Sequence, residues 1–160
     1  DGDAVVVEAT AILEHLAATR TDCAFLLPAD PVAAARTRML DRVFDNYVMN
    51  EATRVVLAHL KHTDAPDADE IAAARAALRR SYDWLEQDLA LHGPIAPLSL
   101  AGCAAAPSLF YADWVEEIGP DRPHLAALRA ELLAQPAVSR CIEDARPYRG
   151  WFPPGAPDRD

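Results

Sequence analysis

The sequence predicts a mainly α-helical protein, a helical bundle preceded by one short strand and its helix. Three observations predict it. Apolar residues recur at i, i+3, i+4 and i+7 through most of the 160 residues. Prolines and capping residues punctuate those stretches at helix-start and helix-end positions. β-branched residues run three in a row only once, at Val5, Val6 and Val7.

Val5 to Val7 read as a buried strand, and Ala11, Ile12, Leu13 and Leu16 continue at helical spacing, so the turn falls at Glu8. A strand that stops at a helix N-terminus leaves backbone N–H groups pointing outward, where a carboxylate-bearing ligand can be held. The plainer reading is that Glu8 and Thr10 only cap the helix. The stretch TDCAFLLPADP (21–31) carries two prolines and two acids and reads as a connector, with a unit boundary near Pro28. From Val32, Met39, Leu40, Val43, Phe44, Tyr47 and Val48, then Val55, Val56 and Leu60, keep one rhythm towards His62, which predicts a single long helix.

Asp67 followed by Glu70 has the spacing of a capping box, and Ile71, Leu78, Tyr82, Leu85 and Leu89 line one face of the next helix until Gly93, Pro94 and Pro97 end it. Ser99 caps an unusually apolar helix from 100 to about 118, which belongs at the centre and which Pro107 should bend. Two short helices follow, with Pro123 and Pro136 suited to their first turns. The tail from 147 onward reads as non-helical, with Tyr148, Trp151 and Phe152 packing back on the bundle and the last polar residues fraying.

Composition narrows the function. Hydrophobic residues make up 51% of the chain and the formal charge is −10, so the surface repels phosphate backbones and nucleic acid is not an expected partner. Lys61 is the only lysine, and the arginines alternate with acids; Arg38, Asp41, Arg42 and Asp45 read as a solvated, salt-laced face. Cys23, Cys103 and Cys141 lie far apart and suggest neither a disulfide framework nor zinc. His59 and His62 sit near one turn apart without a third ligand in sequence, so no metal is expected. Cys23 has only Arg20 nearby to lower its pKa and reads as structural. No apolar run approaches the ~20 residues that span a bilayer, and a reducing cytoplasm is the expected compartment.

EATAILEHL, then LLPADP, a long helix, SLAGCAAAPSLFYADW and RPHLAALRAELLAQPAVSRCIEDARPY together resemble the glutathione transferase family in its bacterial cytosolic form, over residues 1 to about 153. In that family a thioredoxin-like domain binds glutathione and an all-helical domain completes the pocket for the second substrate. The resemblance divides this chain into the end of a thioredoxin-like domain (1–27), the helical domain (28–153) and a tail (154–160). The chain opens on Asp1 and reads as the later part of a longer one. Glu8 stands at the Glu of the family's Glu–Ser pair, which grips the γ-glutamyl end of glutathione. Ala9 stands where Ser is usual, a lost hydrogen bond to a charged group costing roughly 1–3 kcal/mol, with Thr10 as its substitute. The resemblance therefore places glutathione at Glu8, Ala9 and Thr10. At the cap of the central helix, Ser99 and Ala101 match the family pattern while Gly102 replaces an Asp, at a cost of about 1 kcal/mol; Leu98 and Cys103 are positioned for a hydrophobic staple.

The family's thiol-activating Ser, Tyr or Cys lies near the start of the thioredoxin-like domain, so no catalytic residue is assigned here. The resemblance implies a substrate wall at Asn46, Tyr47, Met49 and Tyr111; core packing is the plainer reading for Met49 and Tyr111, as for Trp84 and Trp114. The expected function is conjugation or reduction of small apolar electrophiles with glutathione by a homodimer, a detoxification chemistry, without separating transferase from isomerase, dehalogenase or disulfide reductase. A non-catalytic helical binding or association module, with Ala9 and Gly102 marking relaxed constraint, is the rival.

Overall fold

A computed structural model describes residues 2–3, 5–62 and 64–160. In chain order they form α1 (Ala9–Thr19), a 3-10 turn (Thr21–Leu26), α2 (Pro31–Val43), a π-helical segment (Phe44–Met49), α3 (Asn50–Lys61), α4 (Ala68–His92), α5 (Leu100–Val115), α6 (Pro123–Leu133), α7 (Pro136–Ala145) and a second 3-10 turn (Arg146–Trp151). The mainly helical expectation holds. The strand does not form: residues 5–7 are irregular, with Val5 and Val7 90% and 70% exposed, because no second strand exists among the described residues to take the backbone hydrogen bonds. For the same reason α1 buries none of its residues.

α5 is the axis of the bundle. Eleven of its sixteen residues are buried, and Ala101, Ala105 and Ala112, with no side chain beyond Cβ, let its neighbours pack close. Leu40, Phe44, Val48 and Val55 reach it from the long helix, Leu78, Tyr82 and Leu85 from α4, and Leu125, Leu128 and Leu132 from α6, forming one continuous core. The residues of α5 that stay exposed, Cys103, Pro107 and Tyr111, fall at i, i+4 and i+8 and so share one stripe. That placement explains why the helix runs unbroken through Pro107. The carbonyl freed by the missing N–H is that of exposed Cys103, on the side where water can satisfy it.

The long helix predicted from its apolar rhythm exists, but not as a uniform α-helix. Helical backbone continues through Val43 and Asn50, while the Asn50 N–H bonds the Asp45 carbonyl five residues back. This π segment adds a residue to the turn and keeps Phe44, Val48, Ala52 and Val55 facing the core, whereas Tyr47 and Leu60 are left 60% and 56% exposed. Periodicity alone puts Tyr47 and Leu60 on the same face as Phe44, Val48 and Val55.

Caps behave partly as the spacing predicts. Asp30 and Asp67 cap α2 and α4 through the Ala33 N–H (2.8 Å) and the Glu70 N–H (3.0 Å), and Pro123 and Pro136 occupy first-turn positions. The reciprocal half of the capping box fails: the Glu70 carboxylate turns to Arg54 (2.8 Å), which also holds Glu51 (2.5 Å) and so ties α3 to α4. α6 has no local side-chain cap, and Glu86 of α4 supplies one, accepting from the Leu125 N–H at 2.8 Å and the His124 ring at 2.6 Å. The 3-10 turn at Arg146–Trp151 corrects the expected irregular tail, and residues 157–160 do not fray: they are pinned to the bundle by arginines.

Gly102 also reads differently in three dimensions. Ser99 Oγ accepts its N–H at 3.1 Å, and a Cβ at this position would lie 2.1 Å from the Pro97 carbonyl oxygen and 2.7 Å from that of Ala96. Only glycine fits, so its presence reflects close backbone approach and not relaxed constraint. The expected staple is not seen as a buried pair, since Leu98 and Cys103 are both exposed. Gly102→Ala is expected to lower stability by about 1–3 kcal/mol in urea unfolding, although alanine is the better helix former by about 1 kcal/mol. Gly150→Ala, where a Cβ would meet nothing, should shift it by no more than about 0.5 kcal/mol.

Candidate functional site

The N-terminal edge of α1 is the first place where sequence and geometry meet. Glu8 is its N-cap residue, with φ 72° and ψ 128°, the only positive φ outside glycine among the described residues. Such a backbone costs of order 1–3 kcal/mol and persists where the surroundings or function impose it. Its carboxylate makes no capping bond, so it does not serve the plain capping role. The N–H groups of the first turn have no intrahelical acceptor and face an open concavity of about 390 Å³, lined by Glu8, Ala9, Thr10, Glu14, Arg42 and Asp45.

Glu8, Ala9 and Thr10 thus share one edge with Glu14, Arg42 and Asp45, which sequence reading had not put there. Thr10 Oγ donates to Asp41 Oδ2 at 3.0 Å and accepts from Arg42 Nη2. Its hydroxyl is committed to joining α1 to α2 and is not free to replace the serine missing at Ala9. Arg42 also holds Asp41 at 2.6 Å and Asp45 at 2.7 Å, and Arg38 reaches Glu14 at 2.6 Å. Arg38, Arg42 and Asp45 are about half exposed, as a salt-laced face would be, but Asp41 is only 3% exposed, so the face is a latch anchored on one buried carboxylate. A signal was present, because Asp41 lies on the apolar stripe, three residues before Phe44 and seven before Val48. Burial holds the Asp45 carboxyl above its ordinary pKa, against the opposing pull of Arg42.

The four substrate-wall residues do not converge. Asn46, Tyr47 and Met49 all lie in the π segment; Asn46 is exposed and Met49 half-buried. Tyr47 faces α4, lining an open groove of about 650 Å³ with Met39, Val43, Glu51, Arg80 and Trp84. Trp84 is 42% exposed there, so it is not core. Tyr111 sits on the exposed stripe of α5, 5.0 Å from Phe110 and 6.1 Å from Phe152 between ring centroids, in a groove shared with Trp114, Ile142 and Arg149. Trp114 is half-buried beneath the Arg149 guanidinium (4.7 Å), and its indole N–H is buried without a partner. A second groove continues along α5 past Pro107 to Val138 and Cys141 of α7.

Other candidates resolve simply. The three cysteines are free, and Arg20 beside Cys23 is engaged by Asp22 at 3.1 Å. His59 bonds the Val55 carbonyl at 2.8 Å, and no group of three potential metal ligands occurs among the described residues. No helix among them is long and apolar enough to cross a membrane.

The sequence matches no family model and no curated protein. Solved structures do match. A glutathione S-transferase from Methylobacillus flagellatus KT, with glutathione bound, superposes with a TM-score of 0.68 at 22% identity, covering 84% of this chain and 68% of that one. A glutathione S-transferase III in apo form superposes at 0.69 with 27% identity, covering 89% and 69%. The chain therefore has the helical fold of the glutathione S-transferase C-terminal domain.

The latch between α1 and α2 can be tested directly. Asp41→Ala is expected to cost roughly 1–3 kcal/mol in urea unfolding and to speed amide hydrogen exchange across residues 9–19 more than in α4 or α5, since α1 has no buried side chain to hold it otherwise.

Proposed function

We propose that this chain, built on the helical fold of glutathione S-transferases, is part of a glutathione-dependent protein that conjugates or reduces small apolar electrophiles in the cytoplasm. The observation that carries the reading is Glu8: a strained backbone, an uncommitted carboxylate and a row of free N–H groups converge on one concave edge. A tripeptide with an α-amino and an α-carboxylate group at one end suits that edge. The amide N–H groups of Ala9 and Thr10 and the helix dipole favour its carboxylate, and Glu8 favours its ammonium.

In this reading the chain does the binding and leaves thiol activation elsewhere. A glutathione thiol becomes a nucleophile as the thiolate, and the rate gain comes from holding it against an electrophile. No group on this chain is assigned to the thiol. Tyr111, in its aromatic groove, and Asn46, Tyr47 and Met49, in the π segment, are proposed to contact the second substrate. Their spread over two grooves fits a wall that the thioredoxin-like part of the protein completes. The Tyr47–Trp84 groove, apolar between Glu51 and Arg80, suits pairing with a second copy, because a two-fold axis would bring each charge opposite its complement.

One observation favours the rival reading of a non-catalytic helical binding module: neither Ala9 nor Thr10 has a hydroxyl to offer, the first by composition and the second by its bonds to Asp41 and Arg42. The readings separate on glutathione affinity, measured by calorimetry and by retention on immobilised glutathione. Glu8→Ala is expected to weaken affinity at least about tenfold, the loss of a charged hydrogen bond worth ~1.5–3 kcal/mol. Ala9→Ser is expected to tighten it by about tenfold, equivalent to ~1.4 kcal/mol. No binding by the parent chain or by Ala9→Ser would leave the module reading standing.

A further inference from the structure

The segment from Phe152 to Asp160 is held to the bundle in an unusual way. None of its residues is fully buried, and only Phe152, half-buried at its start, packs against the core. The chain reverses at Gly155, whose N–H bonds the Phe152 carbonyl at 2.8 Å, and arginines then pin it. Arg149 is the hub, donating to the Pro157 and Arg159 carbonyls at 2.5 Å each and pairing with Asp160 at 2.5 Å. Arg146 also pairs with Asp160, and Arg159 reaches back to Asp113 of α5, to its carboxylate at 3.2 Å and its carbonyl at 2.7 Å. Phe152 meanwhile lies 5.2 Å from the ring of Trp114 and 6.1 Å from that of Tyr111.

We propose that residues 152–160 are an electrostatic strap that closes the aromatic groove at the end of α5 and opens as a unit when its arginine contacts are screened. Each charged group that the strap would leave behind on the bundle has a second partner to keep when it opens, while Arg159 and Asp160 would pass into solvent with the strap. Asp113 retains the Ile118 N–H at 2.9 Å and Arg129 at 3.3 Å. Arg146 retains Glu143 at 2.7 Å, and Arg149 retains the face of Trp114. Opening therefore leaves no buried charge without a partner, the usual reason such segments stay shut. What opposes opening is the packing of Phe152 at one end and, along residues 157–160, Coulombic attraction at a partly exposed surface, the interaction that salt weakens, since screening shortens from about 10 Å at 0.1 M to about 3 Å at 1 M. Because Arg149 serves three acceptors on the strap, losing it releases all of them together. The proposal is independent of the glutathione reading.

The test is quenching of Trp114 fluorescence by acrylamide, a neutral quencher, in the full chain carrying Trp84→Phe and Trp151→Phe. The quenching constant is expected to rise about threefold or more between low salt and 1 M, where the Debye length is about 3 Å. With Asp160→Asn or Arg149→Gln added, it should already be high at low salt and respond little to further salt. Helical circular dichroism and the unfolding midpoint of Asp160→Asn, a change at the molecular periphery, should stay those of the parent, showing that the bundle is intact. A quenching constant that ignores salt in the parent, or that Asp160→Asn leaves at the closed value, would overturn the strap.

Discussion

Everything in this bundle is arranged around the burial of one helix. α5 presents core on all but one stripe, so its neighbours must approach it closely from several directions, and its own backbone must satisfy its polar groups internally. Small residues make that possible along its length. At its start the requirement becomes absolute, because the preceding carbonyls of Ala96 and Pro97 close over Gly102. The stripe left free then defines where a ligand or another part of the protein can reach the axis, and it carries Cys103, Pro107 and Tyr111.

Polar contacts at the periphery are of a different kind. They join elements that apolar burial alone would leave loose. Asp41 and Arg42 hold α1, which has no core of its own; Glu86 caps α6 from across the bundle; Asp113 gathers the loop at Ile118, Arg129 and the strap. Each is a carboxylate meeting backbone N–H groups or arginine, the stronger class of hydrogen bond. With a single lysine in the chain, nearly all the positive partners are planar guanidinium groups able to serve several acceptors at once. That is what allows Arg42 and Arg149 to act as hubs.

The same economy shapes the candidate site. Thr10 is used to fasten α1 down, which positions the helix N-terminus and at the same time removes the hydroxyl that might have touched a ligand. What this edge leaves exposed is backbone N–H groups and Glu8, whose backbone lies at positive φ. The aromatic and π-segment surfaces lie elsewhere on the bundle, in separate grooves. The chain covers 68–69% of the solved glutathione S-transferases it matches.

Periodicity and punctuation determined the helices of this protein, their order and the central place of α5, because the 3.6-residue repeat and the caps at Asp67 and Ser99 are local properties. The tertiary structure decided the rest. Val5 to Val7 have strand propensity but find no partner to pair with, so the pattern is not realised. Asp41 and Glu86 look like surface acids in sequence and are fixtures of the packing, because their partners come from other helices. Tyr47 follows the apolar rhythm in sequence but lines an open groove, in a π-helical stretch that a 3.6-residue count does not anticipate. Gly102 was legible as a weak helix residue, and only the folding back of the Ala96 and Pro97 carbonyls over it revealed it as a necessary one.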